Sequence, residues 1–157
     1  MNRILIVKMS SMGDVVHAQP LATDLRAQFP DARIEWIVES AFSALPAMNP
    51  AVDEVIPLSW RRWRKSLGKS ETRAAMQAFW QTLRGRRYDW ILDCQGLIKS
   101  AAVVRMARGG VHNIYHSLFW ISFPYISSGQ QPHPQQFYAF HEFLSEFQLS
   151  GHQDREQ

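Results

Sequence analysis

The chain has one cysteine in 157 residues. Cys94 alone excludes an intramolecular disulfide and a cysteine-built zinc cluster, agrees with a reducing compartment, and reads as a small buried apolar residue. No apolar stretch approaches the ~20 residues of a membrane span. The opening apolar run, Ile4 to Val7, is too short for a secretory leader, so a cytoplasmic chain is expected. The eight glycines never fall into G-x-G-x-x-G or G-x-x-x-x-G-K-[ST], which argues against a dinucleotide or P-loop site. Nor do the histidines show ligand spacing, so neither a metal nor a cofactor is expected. No recognised nucleic-acid motif occurs, and nucleic acid is not expected as a partner.

What is present is organised around residues 3 to 16. Ile4, Leu5, Ile6 and Val7 form an unbroken aliphatic run, the pattern of a strand buried on both faces of a parallel sheet. Ser10, Ser11 and Gly13 supply a turn, and Asp14 caps or opens a helix through Val15, Val16, Leu21 and Leu25 to about Phe29. Ligands of open α/β sheets sit beyond the carboxyl ends of the strands, so Asp14 is the first candidate for chemistry. An Asp at a helix start is more often a plain cap than a catalyst, and spacing alone favours the cap. A serine-rich loop at a helix N-terminus can also hold an anion.

Apolar content of 46% in a chain of this length suits one domain of ordinary size. Further strands are expected at Arg33 to Val38, Val52 to Leu58 and Tyr88 to Asp93, with a short helix over Ala41 to Ala47. The alternation of strand and helix gives an α/β, doubly wound parallel sheet. Glu71 to Arg84 places Ala74, Ala75, Ala78, Phe79 and Leu83 at helical spacing. Asp93 is followed by a polar, Gly-containing loop and a helix from Leu97 to about Ala107. In a parallel sheet this loop shares an edge with Asp14, so Asp93, Gln95 and Lys99 either line one cleft or serve local turn and capping needs.

Charge is divided unevenly. Residues 1 to 108 carry sixteen Lys and Arg against ten acids, +6, whereas residues 109 to 157 carry one Arg against four acids, −3. Any anionic partner therefore belongs to the front. Trp60 to Lys69 concentrates five cations and two tryptophans in ten residues, either a binder of phosphate or carboxylate groups or a solvated loop whose tryptophans cover the core edge. Beyond Gly109-Gly110 the local signals stop agreeing. Residues 111 to 157 hold ten aromatics and seven glutamines, with a helix expected at most over Phe137 to Leu149. The expectation is a domain over 1–108 and an irregular, partly disordered tail over 109–157.

Five segments in order, Ile-Leu-Ile-Val-Lys-Met-Ser-Ser-Met-Gly-Asp-Val-Val-His at 4 to 17, Trp-Ile-Val-Glu at 36 to 39, Val-Ile-Pro-Leu at 55 to 58, Arg-Arg-Trp-Arg-Lys at 61 to 65 and Asp-Cys-Gln-Gly-Leu-Ile-Lys-Ser at 93 to 100, resemble the N-terminal half of glycosyltransferase family 9, the lipopolysaccharide heptosyltransferases. The resemblance implies the Rossmann-like acceptor domain of a GT-B enzyme. Such an enzyme transfers heptose from ADP-L-glycero-β-D-manno-heptose to the Kdo of a lipid A precursor, with inversion and without metal. Asp14 falls on the family's catalytic aspartate. Arg61, Arg62, Arg64 and Lys65 fall on its basic loop; with Ser10, Ser11, Gly13, Gln95 and Lys99 they are expected to bind the acceptor at the inner membrane's cytoplasmic face. The family pattern is expected to stop near Met106, as in a truncated or frame-shifted product inactive alone, with ADP-heptose bound only if a second domain is supplied. The alternative is a non-catalytic module binding anionic glycolipid.

Overall fold

The computed structural model describes residues 3–113. The expected irregular tail and its helix over 137–149 lie outside the described residues from 114 onward. Five strands, β1 (Arg3–Val7), β2 (Arg33–Glu39), β3 (Glu54–Leu58), β4 (Arg87–Asp93) and β5 (Arg108–Asn113), form one parallel sheet in the order β3-β2-β1-β4-β5. The helices are α1 (Met12–His17), α2 (Gln19–Gln28), α3 (Ala44–Ala47), α4 (Trp60–Lys65), α5 (Ser70–Arg84) and α6 (Ile98–Met106), with a 3-10 turn at Ser40–Phe42. The α/β, Rossmann-like class expected from the sequence is what is found.

β1 is the central strand, and Ile4 to Val7 are fully buried. Because side chains alternate along a strand, Leu5 and Val7 join a core with Ile37, Leu58, Trp63, Phe79, Leu83 and Val103, while Ile4 and Ile6 face the opposite layer. β3 is an edge strand; its Pro57, which has no N–H to donate, is exposed there.

Several elements differ from the sequence expectation. The single helix expected from Asp14 to Phe29 is two, because Pro20 near the start of α2 has no N–H to give and its ring would crowd the Val16 carbonyl. The basic stretch expected as a loop contains α4, anchored by buried Trp63 edge-to-face on Phe79 at 5.6 Å. On α5 the inward face is Thr72, Phe79 and Leu83, with Met76 and Trp80 packed beside them; Ala74, Ala75 and Ala78 are exposed. β5, a strand with no signal in the sequence, crosses the 108–109 boundary. Gly109 permits it, since a Cβ there would overlap the Tyr88 carbonyl.

A charged network closes the end of the sheet where β2 and β4 begin. Glu35 is fully buried, and its carboxylate accepts from Arg33 Nε (3.1 Å), Arg86 Nη1 (2.7 Å) and Tyr88 OH (2.8 Å). Arg33 and Arg86 also reach Glu54, at 2.8 and 2.7 Å. Burial and the Glu35 bond push the Tyr88 phenol well above its usual range, so it remains a donor. Partial burial works to raise the Glu54 carboxyl, but hydrogen bonds from Arg86 and Arg33 outweigh it and hold its pKa below the usual 4.5. Removing one partner strands the others, so Arg86→Ala should cost about 3–5 kcal/mol and Tyr88→Phe about 1.5–3 kcal/mol, read as lowered urea midpoints. A lowered folded pKa means that the Glu54 contribution is complete above 4.5 and is lost as pH falls through the folded value. Glu54→Gln should therefore flatten the acid limb of the stability profile below pH 4.5.

Candidate functional site

β1 and β4 are parallel neighbours in a register that pairs Val7 with Asp93. The two strands therefore end level, and the loops leaving them emerge side by side. Three side chains stitch these loops together. Lys8 Nζ donates to the Cys94 carbonyl at 2.9 Å. Gln95 Oε1 accepts the backbone N–H groups of Met9 and Ser10 at 2.9 and 3.0 Å. Lys99 Nζ donates to Ser10 Oγ at 2.8 Å. The sequence-expected Ser10, Ser11, Gln95 and Lys99 are thus brought to one place.

Asp93 has a local role. It is 1% exposed, its Oδ1 accepts the N–H groups of Gln95 (2.9 Å) and Gly96 (3.3 Å), and Ser100 Oγ donates to its Oδ2 at 3.0 Å. Of the two readings left open by the sequence, turn and capping duty is the one observed. Gly96 takes φ 67, the left-handed conformation that glycine adopts without strain. Cys94, expected to be buried, is half-buried as a residue, and desolvation of its thiol pushes it up to about 12.

Asp14 lies in the first turn of α1, half-buried. Its Oδ2 accepts the Ser11 N–H at 2.8 Å and the Ser11 hydroxyl at 3.1 Å, two bonds from one residue that fix the carboxylate's orientation. Oδ1 has no hydrogen-bond partner among the described residues. The carboxylate is held by one oxygen and leaves the other open, so capping and chemistry are compatible. Beside it, Gly13 fronts open space: an added Cβ would meet nothing within 4 Å.

α4 comes to the same sheet edge through Glu39, the last residue of β2. The Glu39 N–H donates to the Met9 carbonyl at 3.0 Å, and Glu39 Oε1 accepts the Arg61 N–H at 3.3 Å. Arg61, Arg62, Arg64 and Lys65 are all exposed, and among the described residues none has a carboxylate partner, in contrast to Arg26, Arg33 and Arg86. Arg61 stacks over Phe42 with its guanidinium 5.9 Å from the ring centre. A cleft of about 480 Å³ lies between β3, α4 and α5, walled by Ile56, Trp63, Phe79 and Arg62. It includes none of the residues of the two stitched loops, so it is not the candidate site.

Sequence reasoning gave no role to Lys8 or Glu39. Each ends or follows a buried strand, a position from which a lone charged residue points toward the ligand edge, and that was the available signal. Among the described residues no cluster of His, Cys, Asp or Glu could hold a metal, and no helix is long and apolar enough to cross a membrane.

Comparison with known proteins gives a consistent result. The profile described as Glycosyltransferase family 9 (heptosyltransferase) matches residues 76–120. Lipopolysaccharide heptosyltransferase 1 of Escherichia coli is 43% identical over 119 residues, covering 75% of this chain and 35% of that protein. The Salmonella typhimurium protein of the same name is 38% identical over 155 residues, covering 98% of this chain and 46% of its own length. In solved structures, E. coli heptosyltransferase WaaC with ADP superposes with a TM-score of 0.68 at 45% identity, over 71% of this chain and 35% of that one. The chain thus spans under half the length of these relatives, and its sheet is similar to that of the E. coli heptosyltransferase WaaC. The profile match extends past Met106, where the family pattern was expected to stop.

Since nothing lies within 4 Å of a Cβ at position 13, Gly13→Ala should stabilise α1 by about 0.5–1 kcal/mol, measured as a higher Tm. A lower Tm would show that the backbone there needs glycine.

Proposed function

We propose, from the chain's likeness to lipopolysaccharide heptosyltransferase 1 of glycosyltransferase family 9, that these residues form the acceptor side of a heptosyltransferase. In this reading, heptose moves from ADP-heptose to a Kdo hydroxyl of a lipid A precursor. The hydroxyl oxygen bonds to the anomeric carbon as the bond to ADP breaks, with inversion, and the hydroxyl proton passes to Asp14 Oδ1. The observation that carries the reading is the Asp14 carboxylate, oriented through Oδ2 by Ser11, with Oδ1 unbonded among the described residues. A general base needs an ionised group held within hydrogen-bond reach of its proton.

The acceptor's carboxylates and phosphates fit the unpaired cations of α4, with Arg61, Arg62, Arg64 and Lys65 offering forked and point-charge donors. Ser10, Ser11, Lys99 and the amide group of Gln95 supply further donors near Asp14, and the space at Gly13 admits a sugar ring close to the backbone. The same cations suit peripheral attachment to an anionic membrane on its cytoplasmic face.

A second reading, a module that binds anionic glycolipid without turnover, is favoured by one observation: Asp14 already has a complete structural role as a cap. Radiolabelled transfer from ADP-heptose to deep-truncated lipopolysaccharide separates the two. The enzyme reading expects Asp14→Asn to lower transfer ~10²- to 10⁴-fold with acceptor binding unchanged. Paired Arg61→Ala and Arg64→Ala should weaken acceptor binding and reduce its salt dependence. Salt-sensitive binding without any transfer by the wild type would favour the module.

A further inference from the structure

The side chain of Gln95 does more than face the site. Its Oε1 accepts two consecutive backbone N–H groups, Met9 at 2.9 Å and Ser10 at 3.0 Å, from a loop 85 to 86 residues away in the chain. Both residues are buried, at 2% and 7% exposure, so neither N–H has ready access to water as an alternative partner. Gln95 is itself held, because its own N–H donates to Asp93 Oδ1, and the other oxygen of Asp93 is fixed by Ser100 of α6. The chain of bonds runs from α6 through Asp93 and Gln95 to Ser10, and across one peptide bond to Ser11, which orients Asp14.

We infer that Gln95 is a positioning residue that sets the placement of the Asp14 carboxylate through the backbone of the β1–α1 loop. The inference rests on the reading of Asp14 as a base for its catalytic consequence, but not for its structural content. Lys99, bonded to Ser10 Oγ from the same helix that Ser100 belongs to, reinforces the clamp from a second direction. The pairing uses both lone-pair directions of Oε1, a demand that any residue lacking an oxygen at that reach cannot meet.

Amide hydrogen exchange on the intact chain tests this without requiring turnover. Gln95→Met keeps the side chain's length and removes the acceptor; Gln95→Glu keeps an oxygen in place. In Gln95→Met, exchange at Met9 and Ser10 should speed up roughly five- to tenfold. Exchange at Ser11, whose partner is Asp14 and not Gln95, should speed up with them, while Leu5 within β1 stays protected. Gln95→Glu should restore all three. Should Gln95→Met fail to fold, Gln95→Asn, one methylene shorter, should give the same pattern. Unchanged protection at Ser11 in the variant without the acceptor would overturn the inference, since the clamp would then end at Ser10. In the transfer assay the clamp predicts a kcat lower by ~10²-fold, in addition to any rise in acceptor KM from the lost Gln95 amide donor. Altered exchange with no transfer by the wild type would leave the clamp standing and defeat the enzyme reading instead.

Discussion

The parallel pairing of β1 with β4 is the constraint from which the rest of the structure follows. With Val7 opposite Asp93, the two central strands end at one level, and the chain must turn twice at the same place, each time from a strand into a helix. Loops so placed expose backbone N–H and C=O groups that the sheet no longer satisfies. The molecule answers with side chains: Lys8 and Gln95 bond backbone across the gap, and Asp93 gathers the amides of its own turn. What a ligand would meet at this edge is therefore a stitched surface rather than two independent loops. Precision of that kind is what chemistry at a sugar hydroxyl requires.

The two ends of the sheet handle charge differently. Where β2 and β4 begin, Arg33 and Arg86 each hold Glu35 and Glu54, and a fully buried carboxylate is tolerated because several donors surround it. Beyond the strands' carboxyl ends, Arg61, Arg62, Arg64 and Lys65 stand in solvent with no carboxylate partner among the described residues. Exposed cations without an ion pair among the described residues also stand where β4 and β5 begin, at Arg87 and Arg108, so what sets α4 apart is the density of its cations, at positions 61, 62, 64 and 65.

Much of the sheet was legible in the sequence because its signal is local. Ile4 to Val7 and the run from Arg33 are apolar in the way of buried strands. The misreadings have particular causes. Pro20 breaks a helix whose apolar spacing looked continuous. Alanines 74, 75 and 78 fit a helical stripe, but alanine buries little and is indifferent to which way it faces, so the larger Met76, Phe79, Trp80 and Leu83 set the inward side of α5. β5 has no strand composition at all, and exists because Gly109 lets the chain press against Tyr88. Of the site, Asp14 was visible as a cap or a base; its bonds to Ser11 show the cap, and the base is what we propose. Gln95 was visible only as a polar residue in a loop. Its role depends on a partner 85 residues away, and no local pattern encodes such a pairing.

Helix α4 carries a consequence of its own. Arg61 lies one turn from Arg64 and Lys65, and like charges at those spacings repel by a few tenths of a kcal/mol each, about 0.2–0.5 kcal/mol per pair. The buried Trp63, the Glu39 carboxylate and the stacking of Arg61 on Phe42 help to hold so short a helix against that repulsion. A polyanion settling on this face would cancel the repulsion as it binds, so the segment is weakest when vacant and firmest when occupied. Recognition and local order are then one event, and the Met9 carbonyl that receives the Glu39 amide carries that firming to the neighbouring β1 loop.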